Sequence, residues 1–365
     1  MNEYLIFILD FLIIKNAKEE KPIYDSSKME YRYLGNTGLR VSVLGFGVMF
    51  HDNIDNMKDL LKICLQNGIN FFDTAEAYGF GVAEKTFGQA LKDLKIPREK
   101  IIVSIKIYKS GSDPNDSGEG RKHIIEGVTN SLKNLQLDYC DVVFAHRYDM
   151  NTPIEETVRA MNYLIEKGLA FYWATSEWTA DQIERAFNIA KERNLIPPIC
   201  DQAHYNLLYR ENIDSNYRDL FRFRKYGITS FSPLEYGILT GKYFDDQSKD
   251  TERRKMGFLR EWDEKKSDWE PKLKKLQQFA KEKLNCSLAQ LSIAWVVKNK
   301  DISTAILGAK KPEQLNENLK SLEIVPKLTK EILEEIEKIM GNAPKGEIDY
   351  FNNFTPLPIR RNVQK

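Results

Sequence analysis

A closed barrel of eight parallel strands, each followed by a helix, is the fold this sequence predicts. Three observations carry it. Short, continuously apolar runs recur along the chain, as expected of strands buried on both faces. Helical patterns separate them, giving about eight strand–helix units in a chain of suitable size. No G-x-G-x-x-G follows the first strand, where a doubly wound nucleotide-binding sheet usually carries one.

The elements follow in order. "MEYRYLGNTGLR" (Met29–Arg40) predicts a hairpin capping the barrel bottom, with Gly35-Asn36 and Thr37-Gly38 as turn residues. Val41–Gly47 predicts the first strand and Asn56–Gly68 a helix stopped by its glycine. The pattern then repeats as strand and helix: Ile69–Ala75 and Val82–Leu94, Ile101–Tyr108 and Gly120–Leu135, Cys140–His146 and Pro153–Gly168. It continues with Ala170–Ser176 and Thr179–Asn194, then Pro198–Asn206 and Asn212–Gly227, then the strand Ile228–Leu234. A long charged stretch and further helices precede the strand Thr304–Ala309 and the helix Lys311–Leu322. Within it, Gly241–Pro271 has a disordered charged loop as its bland reading.

Outside this repeat lies "YLIFILDFLII" (Tyr4–Ile14). It is about half the length needed to span a bilayer, and Asp10 interrupts it. No basic residue precedes it and no small-residue cleavage site follows cleanly, so a peripheral or disordered extension is expected rather than a targeting signal. Lys15–Lys28 is charged and reads as a linker. The expected organisation is an extension (1–28), the barrel (29–345) and a tail (346–365), with no integral membrane span.

Composition narrows the function. The 365 residues carry 54 basic and 53 acidic side chains, a net charge of +1, which leaves no nucleic-acid footprint. The four cysteines and four histidines are scattered. Neither metal-ligand nor redox spacing occurs, so reduced thiols in a cytoplasmic protein and no metal site are expected.

In a (β/α)₈ barrel chemistry sits at the C-terminal ends of the strands. Those ends carry Asp73, with Tyr78 just beyond, then Lys106, His146, Ser176, Gln202, Ser232 and Pro233. Each has a bland reading: Lys106 a solvated strand-end charge, Asp73 an N-cap, Tyr78 rim packing, His146 a hydrogen-bonded structural histidine. The four together on one rim make a chemically sensible set. A lysine ammonium lowers a nearby phenol's pKa from about 10, an aspartate fixes the lysine, and the tyrosine protonates a carbonyl oxygen as hydride reaches carbon. A histidine orients that oxygen.

These residues sit in stretches that resemble the aldo-keto reductases, within them the branch containing the voltage-gated potassium channel beta subunits. "YRYLGNTGLRVSVLGFG", "NFFDTAEAYGFGVAEKTFGQAL", "DVVFAHRYDMNTPIEETVRAMNYLIEKGLAFYWATSEW", "SPLEYGILTGKY" and "LGAKKPEQLNENL" carry the resemblance over roughly Met29 to Ala343. It implies a tetrad of Asp73, Tyr78, Lys106 and His146, with Tyr78 the general acid. It also implies NADPH/NADP+ as cofactor. Its contacts would be Gly47, Val48 and Met49 after strand one, Ser176 and Gln202 on the nicotinamide carboxamide, and Phe231 near the nicotinamide. "SPLEYG" through Lys242, with Ser232, Pro233, Leu234, Gly237 and Lys242 among its contacts, would wrap the pyrophosphate. Gly308, Lys310, Gln314, Glu317 and Asn318, with Arg253, would meet the adenosine end, and part of Gly241–Pro271 would fold over the cofactor. Lys310 and Arg253 suit a 2′-phosphate, and the helix N-terminus after Lys311 adds a favourable dipole.

Departures qualify the match. Familiar animal channel subunits have asparagine at the position of His146, tryptophan at Phe231 and, in some relatives, arginine at Glu177. The segment before Met29 lacks a cysteine-bearing basic inactivation peptide. The resemblance implies two roles that are compatible. One is a reductase of aldehydes and ketones. The other is a homotetrameric partner of a potassium channel alpha subunit, sensing redox state through bound NADPH at the membrane's cytoplasmic face.

Overall fold

The computed structural model describes residues 24–244 and 252–345, and two short paired strands, Ile348–Asp349 and Thr355–Pro356. Tyr4–Ile14 and most of the predicted linker and tail lie outside the described residues.

Strands β1 (Tyr31–Tyr33) and β2 (Arg40–Ser42) form the predicted antiparallel hairpin. The barrel is built from β3 (Leu44–Gly47), β4 (Phe71–Asp73), β5 (Ile102–Ile107), β6 (Cys140–Ala145), β7 (Ala170–Ser176), β8 (Cys200–His204), β9 (Gly227–Phe231) and β10 (Thr304–Leu307). All eight are parallel to their neighbours, and β10 returns to β3 to close the ring. Helices Ile54–Gln66, Val82–Asp93, Arg121–Leu135, Ile154–Glu166 and Ala180–Glu192 follow successive strands.

Three elements differ from the sequence reading, the first being the charged stretch Gly241–Pro271, which is no disordered loop where it is described but carries the helix Glu252–Lys255 and the first part of the helix Arg260–Phe279. Val41–Gly47 is not one strand but two, because Ser42 turns the chain from the hairpin into the barrel. Ser42 N donates to Asn70 Oδ1 (2.8 Å) while Asn70 N donates to Ser42 Oγ (3.1 Å), a tie across 28 residues. The predicted helix Asn212–Gly227 ends at Arg224, is wound largely as two π-helical turns, Asn212–Asn216 and Leu220–Arg224, and gives up Gly227 to β9.

The hairpin plugs the bottom of the barrel, as its sequence predicts. Leu34 and Val41 are fully buried and pack with Phe71, Ile102, Val142 and Cys200, which lie at or near the starts of β4, β5, β6 and β8. At Gly35 (φ +61°) a Cβ would fall 2.2 Å from the Ile199 carbonyl oxygen, so only glycine permits this approach.

Alternation along the strands positions the site. Successive side chains on a strand point to opposite faces. Phe72, Val103, Ile105, Val143 and Trp173 belong to the core that also contains the surrounding helices. The opposite parity faces the lumen. It runs from Phe71 to Asp73, Ile102 through Ser104 to Lys106, Val142 through Phe144 to His146, Ala174 to Ser176 and Cys200 to Gln202. The lumen is therefore apolar at the bottom and polar at the top, where the strands end.

Candidate active site

A cleft of about 740 Å³ opens at the C-terminal ends of the strands, within the range of small-molecule sites. At its base lies Asp73. Its carboxylate receives the Lys106 ammonium, the Ser104 hydroxyl (2.7 Å) and the Gln202 amide (2.9 Å). Lys106 is fully buried and Asp73 is 2% exposed. The N-cap reading of Asp73 and the solvated reading of Lys106 are both excluded by these contacts.

Tyr78 hangs on the turn after β4, closed by its own N–H to the Ala75 carbonyl (3.0 Å). The Lys106 ammonium lies 4.9 Å from its ring centroid. His146 meets the ring edge-on, with centroids 6.4 Å apart. Its backbone N–H donates to Ile107 O (3.0 Å), which carries the chain past the end of β6 and aims the imidazole into the cleft.

The electrostatics correct one expectation. Burial, with the Asp73 carboxylate adding, holds the Tyr78 phenol above its ordinary value, and Arg147 only pulls it back. The predicted lowering by Lys106 does not emerge, because Lys106 is neutralised by Asp73 at contact distance. The phenol therefore keeps its proton throughout the physiological range. Burial, then Lys106 and Arg147, push the His146 imidazole down to about 2. Burial and Lys310 push His51, a second cleft imidazole, down to about 4.

Both rings stay neutral at pH 7, whereas in the unfolded chain they titrate near 6.5. Below that value the unfolded state binds protons that the folded state refuses. Stability should therefore fall as pH drops from about 6.5 towards 4. Replacing both residues by asparagine is expected to flatten the fall in melting temperature between pH 7 and pH 5. An unchanged slope would show that neither imidazole resists protonation.

The cleft gathers nearly all of the sequence-predicted residues. Gly47, Met49, Asp73, Tyr78, His146, Ser176, Gln202, Phe231, Ser232, Pro233, Leu234, Gly237 and Lys242 line it. At its far end lie Gly308, Lys310, Gln314, Glu317 and Asn318, on the helix Pro312–Leu319 and the turn before it. There Gln314 Oε1 accepts from the Lys310 amide (2.9 Å), and Glu317 is held by Gln290 (2.9 Å). Lys106 stands behind the wall. Val48 is fully buried, its N–H donating to Asp73 O (3.0 Å). The side chain of Arg253, in the short helix Glu252–Lys255, lies outside the described residues.

The sequence reading missed Ser104, Arg147, His51 and the two phenylalanines that make an aromatic clasp with Tyr236. In the clasp, Phe258 stacks on Tyr236 (4.7 Å between centroids) and meets Phe50 edge-on (6.0 Å). All three line the cleft, which brings Phe258 of the charged segment to its wall.

Ser232, Glu235 and Tyr236 adopt left-handed backbone, at φ 50°, 45° and 49°, which costs a non-glycine residue about 1 kcal/mol or more. A buried brace offsets this. Glu235 Oε2 lies 2.5 Å from His204 Nε2 and 2.8 Å from Asn206 Nδ2, which also donates to Ser232 O (2.9 Å).

A (β/α)₈ barrel with a buried aspartate–lysine pair, a protonated tyrosine and a neutral histidine at one rim defines the class. The Aldo/keto reductase family model matches residues 44–340, and the chain belongs to that family. It is 43% identical over 328 residues, 88% of this chain and the whole of the relative, to a protein of Oryza sativa subsp. japonica named "Probable voltage-gated potassium channel subunit beta". A protein of the same name from Arabidopsis thaliana is 42% identical over the same length. Family membership supports an oxidoreductase. Among the described residues no helix is long and apolar enough to cross a membrane, and no group of side chains is arranged to hold a metal.

Proposed function

We propose that the protein is an NADPH-dependent reductase of aldehydes and ketones. The observation that carries this is the convergence of Tyr78, His146 and the Lys106–Asp73 pair at one end of a long cleft. The other end offers Lys310, Gln314 and a helix N-terminus. The donor set fits a dinucleotide: amide and hydroxyl groups (Gln202, Ser176) stand beside the chemistry, and cations (Lys242, Lys310) lie along the run that a pyrophosphate and a 2′-phosphate would follow. Bound there, NADPH supplies the hydride.

The chain's own groups do the rest. His146, neutral, has one N–H to give, and it holds the carbonyl oxygen. Tyr78 Oη donates its proton to that oxygen as negative charge develops. Lys106 and Asp73 keep a fixed dipole behind the phenol and hold its ring in place. The clasp of Phe50, Tyr236 and Phe258 excludes water and retains the nucleotide.

The test is NADPH consumption by purified protein with a panel of aldehydes and ketones. Turnover supports the reading, and none across the panel sinks it. Lys310→Ala is expected to narrow the preference for NADPH over NADH roughly tenfold, the scale of one charge-assisted hydrogen bond near solvent. An unchanged KM ratio would place the 2′-phosphate elsewhere.

The relatives' names favour a second, compatible reading. The barrel acts as a cytoplasmic regulatory subunit of a voltage-gated potassium channel, a homotetramer that senses redox state through its bound nucleotide. Co-purification with a channel tetramerisation domain would support it, and failure to bind one, beside good turnover, would remove it.

A further inference from the structure

Arg147 is the residue of the stretch "AHR" that the proposed chemistry leaves unused. It lines the cleft at the catalytic end. Its Nη1 donates to His146 O (2.6 Å) and to Ser176 Oγ (3.0 Å), so the guanidinium is tethered at one corner. No carboxylate pairs with it among the described residues. Its side chain is exposed at the cleft wall, and its charge is felt at Tyr78, His146, Lys106 and Tyr236. Lys106, the other cation there, is buried and neutralised by Asp73.

A guanidinium has five donors in a flat fork. With only Nη1 engaged by these two bonds, its Nη2 and Nε edges remain to meet a planar anion. Tethering removes much of the side-chain ordering that binding would otherwise cost. The geometry points to Arg147 as the specificity residue for carbonyl substrates that carry a carboxylate, such as short aldehyde acids and keto acids, held bidentately while Tyr78 and His146 meet the carbonyl oxygen. This rests on the reductase reading for its substrate and on the cleft alone for its anion.

The experiment compares kcat/KM for succinic semialdehyde with that for its methyl ester, in the wild type, Arg147→Met and Arg147→Lys. The acid-to-ester ratio should fall roughly tenfold or more in Arg147→Met. Arg147→Lys should recover part of it, as a point charge without the fork. The acid's KM in the wild type should rise with ionic strength while the ester's does not. An unchanged ratio in Arg147→Met overturns the assignment.

Calorimetry with succinate, which cannot be reduced, reads the same contact without turnover. Binding by the wild type that weakens in Arg147→Met supports the carboxylate site even if no carbonyl is reduced, an outcome that would sink the reductase reading alone. Equal binding by both proteins, or none by either, overturns the site whatever the turnover.

Discussion

Tyr78→Phe is expected to lower carbonyl reduction by about 10²- to 10⁴-fold, the usual worth of a positioned general acid, with nucleotide affinity nearly unchanged. Among the described residues the phenol is the one group in the cleft held protonated by burial and placed beside both Lys106 and His146. His146 cannot replace it, because an imidazole pushed down to about 2 has no surplus proton at neutral pH. The variant should fold as well as the wild type. Among the described residues the Tyr78 hydroxyl makes no hydrogen bond, so its removal forfeits none. Single-turnover rates and nucleotide titration separate the two effects. Near-normal turnover would refute the role given to Tyr78, and a parallel loss of nucleotide binding would make it a structural residue.

The barrel could be read from the sequence because parallel strands covered on both faces are apolar throughout, and eight such runs leave few alternatives. The same uniformity hid the detail. Val41–Gly47 looks continuous because nothing local marks the turn, which is set by Ser42 and Asn70 meeting across 28 residues. The clustering of Asp73, Tyr78, Lys106 and His146 was legible because polar residues at the ends of apolar strands stand out. Ser104 did not stand out, being a lone serine between Val103 and Ile105. Only the lumen-facing parity it shares with Lys106 ties it to Asp73. Phe50 and Phe258 lie in loops with no periodic pattern, so their meeting over the cleft depends on tertiary packing that neither segment announces. His51 sits in such a loop too, and its neutral state depends on burial and on Lys310, distant in sequence.

Lys106→Met should destabilise the protein by about 3 kcal/mol or more and abolish turnover, because removing one partner of a buried ion pair leaves the other charge uncompensated. Asp73 would retain only Ser104 and Gln202 as donors. Asp73→Asn should cost a similar amount by stranding the fully buried ammonium. The double variant is the informative one. Two charges removed together leave no bare ion, so its loss should be smaller than the sum of the singles by about 1–3 kcal/mol. Denaturant unfolding of the four proteins reads this directly, and additivity within about 0.5 kcal/mol would mean that the pair is not coupled. If the double variant unfolds almost like the wild type yet remains inert, the ion pair contributes little net stability, as buried pairs often do. Its place in the lumen is then set by the chemistry at Tyr78. An apolar pair of similar volume would fill the same space beneath the cleft, but it would leave the phenol without the fixed dipole behind it.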